Sequence, residues 1–327
     1  SPKQPVMSKI LAIGNALIDI MVDLHDEGLL KKYSFAKGSQ EHVSKEVFDA
    51  FYQELTLDEA RFIPGGSAAN VVHPLANLGF KTGFIGAIGD DDLGRTFEDD
   101  LKQAGVYFSP IRKEGDTGKV LHLQTRDGEK TIIAYSGVND QLTSEDLSDH
   151  LMTSYTHLVL DGFLLSNEEL VQELMNSESI GHMKVIFDMA SSHIAEGHRE
   201  FLKRLIKNYV DILFANDLEA FSYTSNEPER GIRSMAKDCE IVVIKQGSRG
   251  SMIQRGSEFY AIASAPARVV DTTGAGDMYA AGFLYGLLKN YHLTHCGKIA
   301  SFLASKVLEE EGARLSFEKW RELKMMV

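Results

Sequence analysis

The residues whose types and spacing could do chemistry lie in one glycine-rich stretch near the C-terminus, Asp271-Thr-Thr-Gly-Ala-Gly-Asp277. The segment that follows, Met278–Leu288, is poor in charge and is predicted to form a buried helix. A helix that begins at such a loop presents free amides and the positive end of its dipole, which together can hold an anion. Gly274 and Gly276 would let the backbone approach that anion closely. Asp277 would then lie beside a bound phosphoryl group, where its carboxylate could accept a proton from an attacking hydroxyl.

A simpler interpretation of this loop stays open, because an acidic residue after a glycine turn starts many ordinary helices. The loop is not a dinucleotide fingerprint, since Tyr279 stands where the third glycine would be. The chain also lacks a Walker loop of the form Gly-x-x-x-x-Gly-Lys-Ser/Thr. Any phosphate site here must therefore use a different cradle.

Two further stretches could supply the rest of a site. Gly65-Gly-Ser-Ala-Ala-Asn70 opens a second predicted helix, and the Asn70 amide, one turn in, could both donate to and accept from hydroxyls. Gly14-Asn-Ala-Leu-Ile-Asp19 follows the first predicted strand, at the edge where open α/β sheets bind ligands. The Asp19 carboxylate could clamp two neighbouring hydroxyls of a sugar. As isolated residues, Asn70 and Asp19 are equally compatible with an ordinary helix face and a capped turn.

The elements that must position these residues alternate along the chain. Short runs rich in Val, Ile and Leu are predicted strands buried on both faces: Lys9–Gly14, Thr82–Gly89, His157–Gly162, Lys184–Met189, Val210–Ala215 and Ile241–Gly247. Segments with helical spacing lie between or after them: Ala68–Leu78, Leu93–Ala104, Glu168–Met175, His198–Ile206, Glu229–Lys237, Asp277–Lys289 and about Thr294–Glu310. This alternation predicts an α/β fold with a mostly parallel sheet and helices on both faces.

Two regions break the alternation and are predicted to form a small separate sheet. Residues 21–44 and 111–135 lack a helical period and contain alternating segments, one pair split by the turn Asp127-Gly128. A small sheet beside a cleft could act as a lid that excludes water, although a simple edge extension is the alternative. The main domain is expected to comprise residues 7–20, 45–110 and 136–327. Ser1–Val6, ahead of Met7, is interpreted as an added leader.

The bulk composition excludes several classes of function. The 327 residues are 43% hydrophobic and 25% charged, with 34 Lys plus Arg against 47 Asp plus Glu and a formal net charge of −13. A field of that sign repels nucleic acid and anionic membranes, and no apolar stretch reaches bilayer length, so neither partner is expected. Cys239 and Cys296 lack the spacing of a disulfide framework or zinc site, which favours a cytoplasmic location.

Taken together, the glycine-rich stretches resemble the two signature regions of one family. Gly65–Asn70, with Gly86-Ala-Ile-Gly-Asp90 and Gly94, and the later Asp271–Asp277 are similar to the signatures of the ribokinase-like (PfkB) sugar kinases. The resemblance extends from Ile10 to about Ser316. It implies a ribokinase-like fold with an inserted β-sheet lid. It also implies transfer of the γ-phosphate of ATP, with Mg²⁺, to a hydroxymethyl group of a sugar or nucleoside.

The resemblance further implies a role for each matching position. Asp277 matches the general base, and the amides of Gly274, Ala275 and Gly276 match the anion hole for the moving phosphoryl group. Glu219 matches the acid of an Asn-x-x-Glu element that organises Mg²⁺ through water. The expected substrate-binding residues are Asn15, Asp19, Gly65, Gly66 and Asn70. The expected nucleotide-binding residues are Asn216, Lys245, Gly247, Gly250 and Thr272. The expected ligands of a monovalent cation such as K⁺ are Asp271, Thr273, Gly312 and Ser316.

The identity of the acceptor stays open at this level. Asn15 lies in a Gly-Asn-x-Leu-x-Asp opening that is more similar to adenosine kinases than to ribokinase, yet no residue clearly provides a nucleobase pocket. A phosphorylated acceptor would need a basic partner. The basic residues of the lid region are Lys37, Arg112, Lys119 and Arg126.

Functions from other classes are weighed against the kinase. A non-catalytic member that binds a sugar or nucleoside would tolerate loss of Asp277 or Glu219, and both are intact. A nicotinamide-dependent oxidoreductase lacks its fingerprint, and a metal hydrolase lacks His-Glu-x-x-His. Lid strands of the family often pair across a dimer, so a homodimer through the lid is expected.

Overall fold

A nine-stranded sheet forms the centre of the protein. The computed structural model describes residues 7–147 and 153–327; the leader Ser1–Val6 and residues 148–152 of the predicted main domain lie outside the described residues. In spatial order the strands are β16 (Glu258–Ile262), β15 (Ser251–Arg255), β14 (Ile241–Lys245), β13 (Ile212–Asn216), β12 (Lys184–Asp188), β11 (His157–Asp161), β1 (Lys9–Ile13), β5 (Lys81–Ile85) and β7 (Tyr107–Phe108). From β14 to β7 neighbouring strands are parallel, and β15 and β16 add an antiparallel hairpin at one edge.

Helices cover both faces of this sheet, which explains why its strands are continuously apolar. Successive residues of β13 enter different cores, Leu213 on one side and Phe214 on the other, where the Phe214 ring meets Phe283 edge-on with centroids 5.6 Å apart. The helices are α1 (Gly28–Lys32), α2 (Lys45–Gln53), α3 (Ser67–Asn77), α4 (Asp92–Ala104), α5 (Glu168–Asn176), α6 (Ser192–Gly197), α7 (Arg199–Tyr209), α8 (Asp217–Thr224), α9 (Pro228–Met235), α10 (Ala275–Leu288), α11 (Leu293–Leu308) and α12 (Phe317–Lys324). The predicted α/β architecture is confirmed.

A second, five-stranded sheet lies beside the large one. In spatial order it consists of β3 (Gln40–His42), β10 (Lys130–Tyr135), β9 (Gly118–Gln124), β2 (Leu17–Asp23) and β4 (Arg61–Gly65). The pairs β2–β9 and β3–β10 are parallel, and the pairs β2–β4 and β9–β10 are antiparallel. This small extra sheet was predicted, and we refer to these five strands as the lid sheet.

The strands of the lid sheet do not follow the predicted lid boundaries of 21–44 and 111–135. The sheet already includes Leu17 and also takes Arg61–Gly65, a five-residue strand too short to show a period. Residues Ile111–Lys113 instead pair with Ala87–Gly89 in a separate two-stranded sheet. The region 21–44 also contains the five-residue helix α1, which is likewise too short to be recognised from spacing.

The long, nearly uncharged helix α10 is packed inside the protein. In the part of the chain that the structure describes, no helix is long and apolar enough to cross a membrane. Helix α10 packs against α11 and α3, and its first turn lies beside the carboxyl ends of the strands. Helix α10 therefore carries the predicted catalytic loop from the core to the edge of the sheet.

Candidate active site

One cavity of about 1160 Å³ lies between the carboxyl ends of the large sheet and the lid sheet. Most of the predicted site residues line it: Asn15, Asp19, Gly66, Asn70, Asn216, Glu219, Lys245, Gly247, Gly250, Thr272, Thr273, Gly274, Ala275, Gly276 and Asp277. Four predicted residues are not among its lining: Gly65, Asp271, Gly312 and Ser316. The predicted catalytic, substrate and nucleotide positions thus meet in a single space.

Asp277 lies in the first turn of α10 and is partly exposed to the cavity. Its Oδ1 accepts a hydrogen bond from Ser67 Oγ at 2.7 Å, and its Oδ2 accepts one from Asn70 Nδ2 at 3.0 Å. Burial, followed by the nearby charge of Asp188, raises the pKa of Asp277 to about 6, and the two hydrogen bonds only partly oppose this. A carboxylate with this pKa, facing a cavity, can accept a proton near neutral pH.

The Asn70 side chain is held in a fixed orientation by Arg314. Arg314 Nη1 donates to Asn70 Oδ1 at 2.6 Å, so the amide nitrogen of Asn70 faces Asp277. Asp100 accepts from Arg314 Nε at 2.9 Å and balances this mostly buried guanidinium. Burial alone would raise the pKa of Asp100, but the Arg314 charge and the hydrogen bonds to His73 and Arg314 together outweigh it and hold that pKa below its usual value. Arg314 therefore positions a neighbour of the candidate base.

The loop before α10 lines the cavity from Thr272 to Gly276. Gly274 has a φ of +77°, and a Cβ there would stand only 2.4 Å from Ala313 Cβ, so the close approach requires glycine. The Ala275 amide already closes a turn with the Thr272 carbonyl at 3.2 Å. Within residues 7–147 and 153–327 we find no protein acceptor for the Gly276 amide, and Gly276 is exposed. The Gly276 amide is therefore free to donate to an anion in the cavity.

Carboxylates outnumber cations at the end of the cavity next to the loop before α10. Lys245, at the end of β14, places Nζ 2.9 Å from Asp188 Oδ2 at the end of β12. Burial lowers the pKa of Lys245, but the charges of Asp188 and Glu219 outweigh it and keep the ammonium protonated. Burial, then the charge of Asp188, raises the pKa of Glu219. With Asp277 nearby, three carboxylates share one lysine, and an added cation would stabilise them.

Glu219 is fixed by the start of α8. Asn216 Oδ1 accepts from the Glu219 amide at 2.7 Å, and Glu219 Oε1 accepts from the Asn216 amide at 3.0 Å, which forms a capping box. Among the described residues no group of three His, Cys, Asp or Glu side chains could hold a metal alone. Mg²⁺ commonly uses one or two carboxylates together with water and substrate phosphates. Glu219 fits that kind of magnesium site.

The opposite end of the cavity contains a buried carboxylate on the lid strand β2. Asp19 Oδ1 lies 2.8 Å from His122 Nε2, while His122 Nδ1 has no hydrogen-bond partner among the described residues. A Cβ on Gly65 would stand 2.3 Å from Asp19 Oδ2, so Gly65 makes room for this carboxylate instead of lining the cavity. Gly66 has a φ of +96° and packs against the Asn15 carbonyl, where a Cβ would be 2.3 Å away.

The lid side of the cavity combines apolar side chains with polar ones, the latter including Asp19, Gln40, Glu41, His42 and His122. Its apolar lining residues are Leu17, Val120, Ile132 and Ala134, with Phe163 from the main domain. Among the described lining residues, Lys245 is the only Lys or Arg. Of the lid residues considered for a second phosphate, Lys37 pairs with Glu27 and Asp127, and Arg112 pairs with Glu98.

The nucleotide side is walled by small residues. The wall comprises Ser264, Ala265, Pro266, Ala267, Ser301, Ala304, Ser305 and Leu308. Gly247 has a φ of +57° and open space around it, so its backbone is accessible to a ligand. Gly250 serves packing, since a Cβ there would stand 2.1 Å from the Ile262 carbonyl oxygen.

Two of the four residues expected to bind a monovalent cation, Asp271 and Thr273, instead form hydrogen bonds with a lysine. Lys130 Nζ contacts Asp271 Oδ1 and donates to Thr273 Oγ1 at 3.2 Å, and the Gly312 amide donates to Asp271 Oδ2 at 2.8 Å. Ser316 Oγ instead caps α12, so it does not join the group. Burial raises the pKa of Asp271, but Lys130 and the Gly312 amide outweigh it and hold the pKa below its usual value.

Several residues of the site were missed in the sequence: Ser67, His122, Lys130, Asp161, Asp188 and Arg314. Asp161 and Asp188 lie at the carboxyl ends of predicted strands, the edge of the sheet that drew attention to the Gly14–Asp19 stretch, so that signal was available. Asp161 Oδ2 accepts from the Ala68 amide at 3.0 Å and anchors the start of α3. Burial is the main reason that the pKa of Asp161 is raised to about 7.

A mostly parallel sheet flanked by helices, with a partly buried carboxylate at a glycine-rich helix start and a small extra sheet beside the cavity, is the arrangement expected of a ribokinase-like phosphotransferase. Comparison with known proteins agrees. Residues 46–320 match the model of the pfkB family of carbohydrate kinases. The chain belongs to this family, and it is a kinase.

Individual relatives are similar along most of their length. The ATP-dependent ribose-1-phosphate kinase of Halopiger xanaduensis is 30% identical over 80% of this chain and 86% of its own. A probable sugar kinase from Rhizobium etli has a TM-score of 0.88 and 28% identity, covering 98% of both chains. The adenosine kinase of Sinorhizobium meliloti has a TM-score of 0.86 and 27% identity, covering 98% of this chain and 100% of its own. The family implies ATP as the phosphoryl donor.

Proposed function

We propose that the protein transfers the γ-phosphoryl group of ATP to a hydroxymethyl group of an unphosphorylated sugar or nucleoside, with Asp277 as the general base. The observation that carries this proposal is the position of Asp277. Its carboxylate faces the cavity, is oriented by Ser67 and Asn70, and lies in the same helix turn as the free Gly276 amide. A base and an anion donor side by side are what phosphoryl transfer requires.

The reaction follows from this arrangement. The acceptor oxygen attacks the γ-phosphorus while its proton passes to an Asp277 oxygen; the new O–P bond forms as the bond to the β-phosphate oxygen breaks, and ADP leaves. The Gly276 amide and the dipole of α10 stabilise the negative charge on the transferred group. The Lys245 ammonium, 3.3 Å from the Gly276 carbonyl, adds positive charge beside it.

Glu219 would hold Mg²⁺ through water, with Asp188 close by. When bound, the ion would neutralise part of the phosphate charge. The raised pKa of Glu219 supports this role, because a buried carboxylate with an excess of negative neighbours gains from a cation.

The lining of the cavity favours an acceptor without a phosphate of its own. Lys245 is the only Lys or Arg among the described lining residues, and it is already paired with Asp188. A phosphate at the lid end would face the carboxylates of Asp19 and Glu41 with no Lys or Arg beside it, which is unfavourable. Of the two histidines that line this end, His122 is already paired with Asp19. The proposed acceptor would therefore differ from that of the relative named as an ATP-dependent ribose-1-phosphate kinase.

A nucleoside kinase of the adenosine kinase type is the second candidate. The apolar lid face formed by Leu17, Val120 and Ile132 could contact a nucleobase, while Asp19 binds the ribose hydroxyls. The similarity to the adenosine kinase of Sinorhizobium meliloti supports this version. A homodimer through the lid and a cytoplasmic location remain predictions; the buried free thiols of Cys239 and Cys296 favour the latter.

The test is a coupled ADP-release assay with Mg·ATP and a panel of acceptors: adenosine, inosine, ribose, fructose and fructose phosphate. We expect turnover with at least one unphosphorylated acceptor and weaker turnover with fructose phosphate. Thermal melting with each acceptor runs in parallel. Stabilisation by an acceptor without any ADP release would identify a non-catalytic binding protein and contradict the proposal.

A further inference from the structure

A lysine from the lid sheet takes part in the loop that leads to the anion-binding amides. Lys130 begins β10, and its ammonium reaches across to Asp271 Oδ1 and Thr273 Oγ1. Thr273 immediately precedes Gly274, so these contacts lie one residue before the start of the anion loop. The lid sheet and the catalytic loop are therefore joined by a mostly buried ion pair.

Both carboxylate oxygens of Asp271 already accept hydrogen bonds from protein donors. Asp271 Oδ1 also accepts from the Thr273 amide at 3.2 Å and from Thr273 Oγ1 at 2.9 Å. Asp271 Oδ2 accepts from the Gly312 amide. The Asp271 and Lys130 side chains are 6% and 27% exposed, so the pair is shielded from bulk ions. A monovalent cation would have to displace the ammonium to reach these oxygens.

We propose that the Lys130 ammonium permanently takes the place of a monovalent cation beside the anion loop. The kinase then needs no K⁺, and Lys130 acts as a positioning residue that holds Asp271 and Thr273 for the Gly274–Gly276 turn. This inference rests on the proposed function for its effect on turnover.

The physical basis is a comparison of two cations at one site. An ammonium tethered by its own chain has no dissociation to undergo, whereas K⁺ must be drawn from solution and lose water. Both carry one positive charge and prefer oxygen ligands, and the ammonium has three donors. Removing the lysine charge leaves a buried carboxylate without its cation, and a small monovalent ion can then replace it.

The experiment uses three variants of the full chain. Lys130→Met removes the charge and keeps an unbranched side chain, while Lys130→Arg keeps the charge. Lys37→Met is the matched control, since it removes a lid lysine whose partners, Asp127 and Glu27, lie outside the cavity. ADP release and thermal melting of ligand-free protein are measured at one ionic strength in KCl, NaCl or tetramethylammonium chloride, with ATP as its Tris salt.

We expect the turnover of the natural protein, of Lys37→Met and of Lys130→Arg to be independent of which of the three salts is present. Lys130→Met should lose at least about tenfold in turnover in tetramethylammonium chloride, because the anion loop is no longer held. KCl should restore most of that loss and should raise the melting temperature of Lys130→Met alone.

Three results would overturn the inference. One is a natural protein whose turnover depends on K⁺. Another is a Lys130→Met variant that is as active as the natural protein in every salt. The third is a folded Lys130→Met variant, by circular dichroism, that K⁺ neither activates nor stabilises. If Lys130→Met does not fold, the salt series of the natural protein decides. If no acceptor releases ADP, the proposed function fails separately, while the melting series still tests the cation.

Discussion

Two acidic clusters flank the same glycine loop, and they differ in charge balance. On one side, Asp188, Glu219 and Asp277 share the single ammonium of Lys245. On the other side, Asp271 has Lys130 to itself, together with amide and hydroxyl donors. Burial raises the pKa of the carboxyl group at all three positions, but only at Asp271 do its cation and amide donors outweigh burial. The pKa values of Asp277 and Glu219 are therefore raised, and that of Asp271 is lowered.

The two clusters therefore differ in how much a bound cation would stabilise them: the first has unneutralised negative charge, and the second does not. An under-neutralised cluster costs free energy in the empty protein, and that cost is relieved when cations and proton-donating substrates arrive. A balanced, hydrogen-bonded pair stabilises the fold and has little to gain from a ligand. Under the proposed function, the first cluster takes part in phosphoryl transfer and the second holds the loop in place.

The largest expected effect is the loss of turnover when Asp277, the proposed base in the under-neutralised cluster, is replaced. Asp277→Asn should lower kcat by about 10²–10⁴-fold, because the amide cannot accept the proton of the acceptor hydroxyl. Its melting temperature should not fall, since a costly buried charge is removed. Steady-state ADP release and thermal melting measure the two quantities. Asp92→Asn, at a carboxylate 97% exposed, is the control and should change neither; a normal rate in Asp277→Asn would assign the base elsewhere.

Two glycines of the loop should separate stability from catalysis. Gly276→Ala places a methyl 3.1 Å from Lys245 Nζ in the anion pocket, so turnover should fall about tenfold to a hundredfold while the helix start keeps its stability. Gly274→Ala meets Ala313 at a φ of +77° and should destabilise the fold by about 1–3 kcal/mol or more. Melting curves and kcat of both variants check this. Equal melting temperatures in the two variants would show that the Gly274 contact with Ala313 is not structural.

The smallest effect is expected from pH. Because the pKa of Asp277 is about 6 and the base must be ionised, kcat/KM should fall about tenfold per pH unit below 6 and level off above 7. Stability should change in the opposite sense. Because the pKa of Asp277 is raised above the unfolded value of about 4, its carboxyl binds more protons in the native state, so its contribution to the free energy of unfolding falls as pH rises from about 4 to 6. The stability difference between the natural protein and Asp277→Asn isolates this contribution. If kcat/KM of the natural protein does not fall below pH 6, the assignment of Asp277 as the general base is contradicted.

Much of the site was predictable because its signals are local. The sequence from Asp271 to Asp277 predicts a helix start with free amides, and the sequence from Gly65 to Asn70 predicts another. Both helix starts were found, and the structure brings them together at Asp277. The alternation of strands and helices likewise predicted the large sheet, since each element carries its own period.

The remaining parts depend on contacts between residues far apart in sequence. Arg314 orients Asn70, and Lys130 reaches Asp271, yet nothing in the neighbouring residues marks either side chain. The strand Arg61–Gly65 was missed because five residues carry too little pattern, and its place in the lid sheet is set by pairing with β2. Local periodicity does not encode such pairings.

The most direct test of the account is a single-turnover measurement with γ-labelled ATP and the best acceptor from the ADP screen, in the natural protein and Asp277→Asn. Nucleotide affinity is measured separately, so that binding and chemistry are distinguished. The account predicts label on the acceptor in the natural protein, and transfer slowed by about 10²–10⁴-fold in the variant with nearly unchanged ATP affinity. Transfer at the same rate in both proteins, with ATP bound equally, would contradict it.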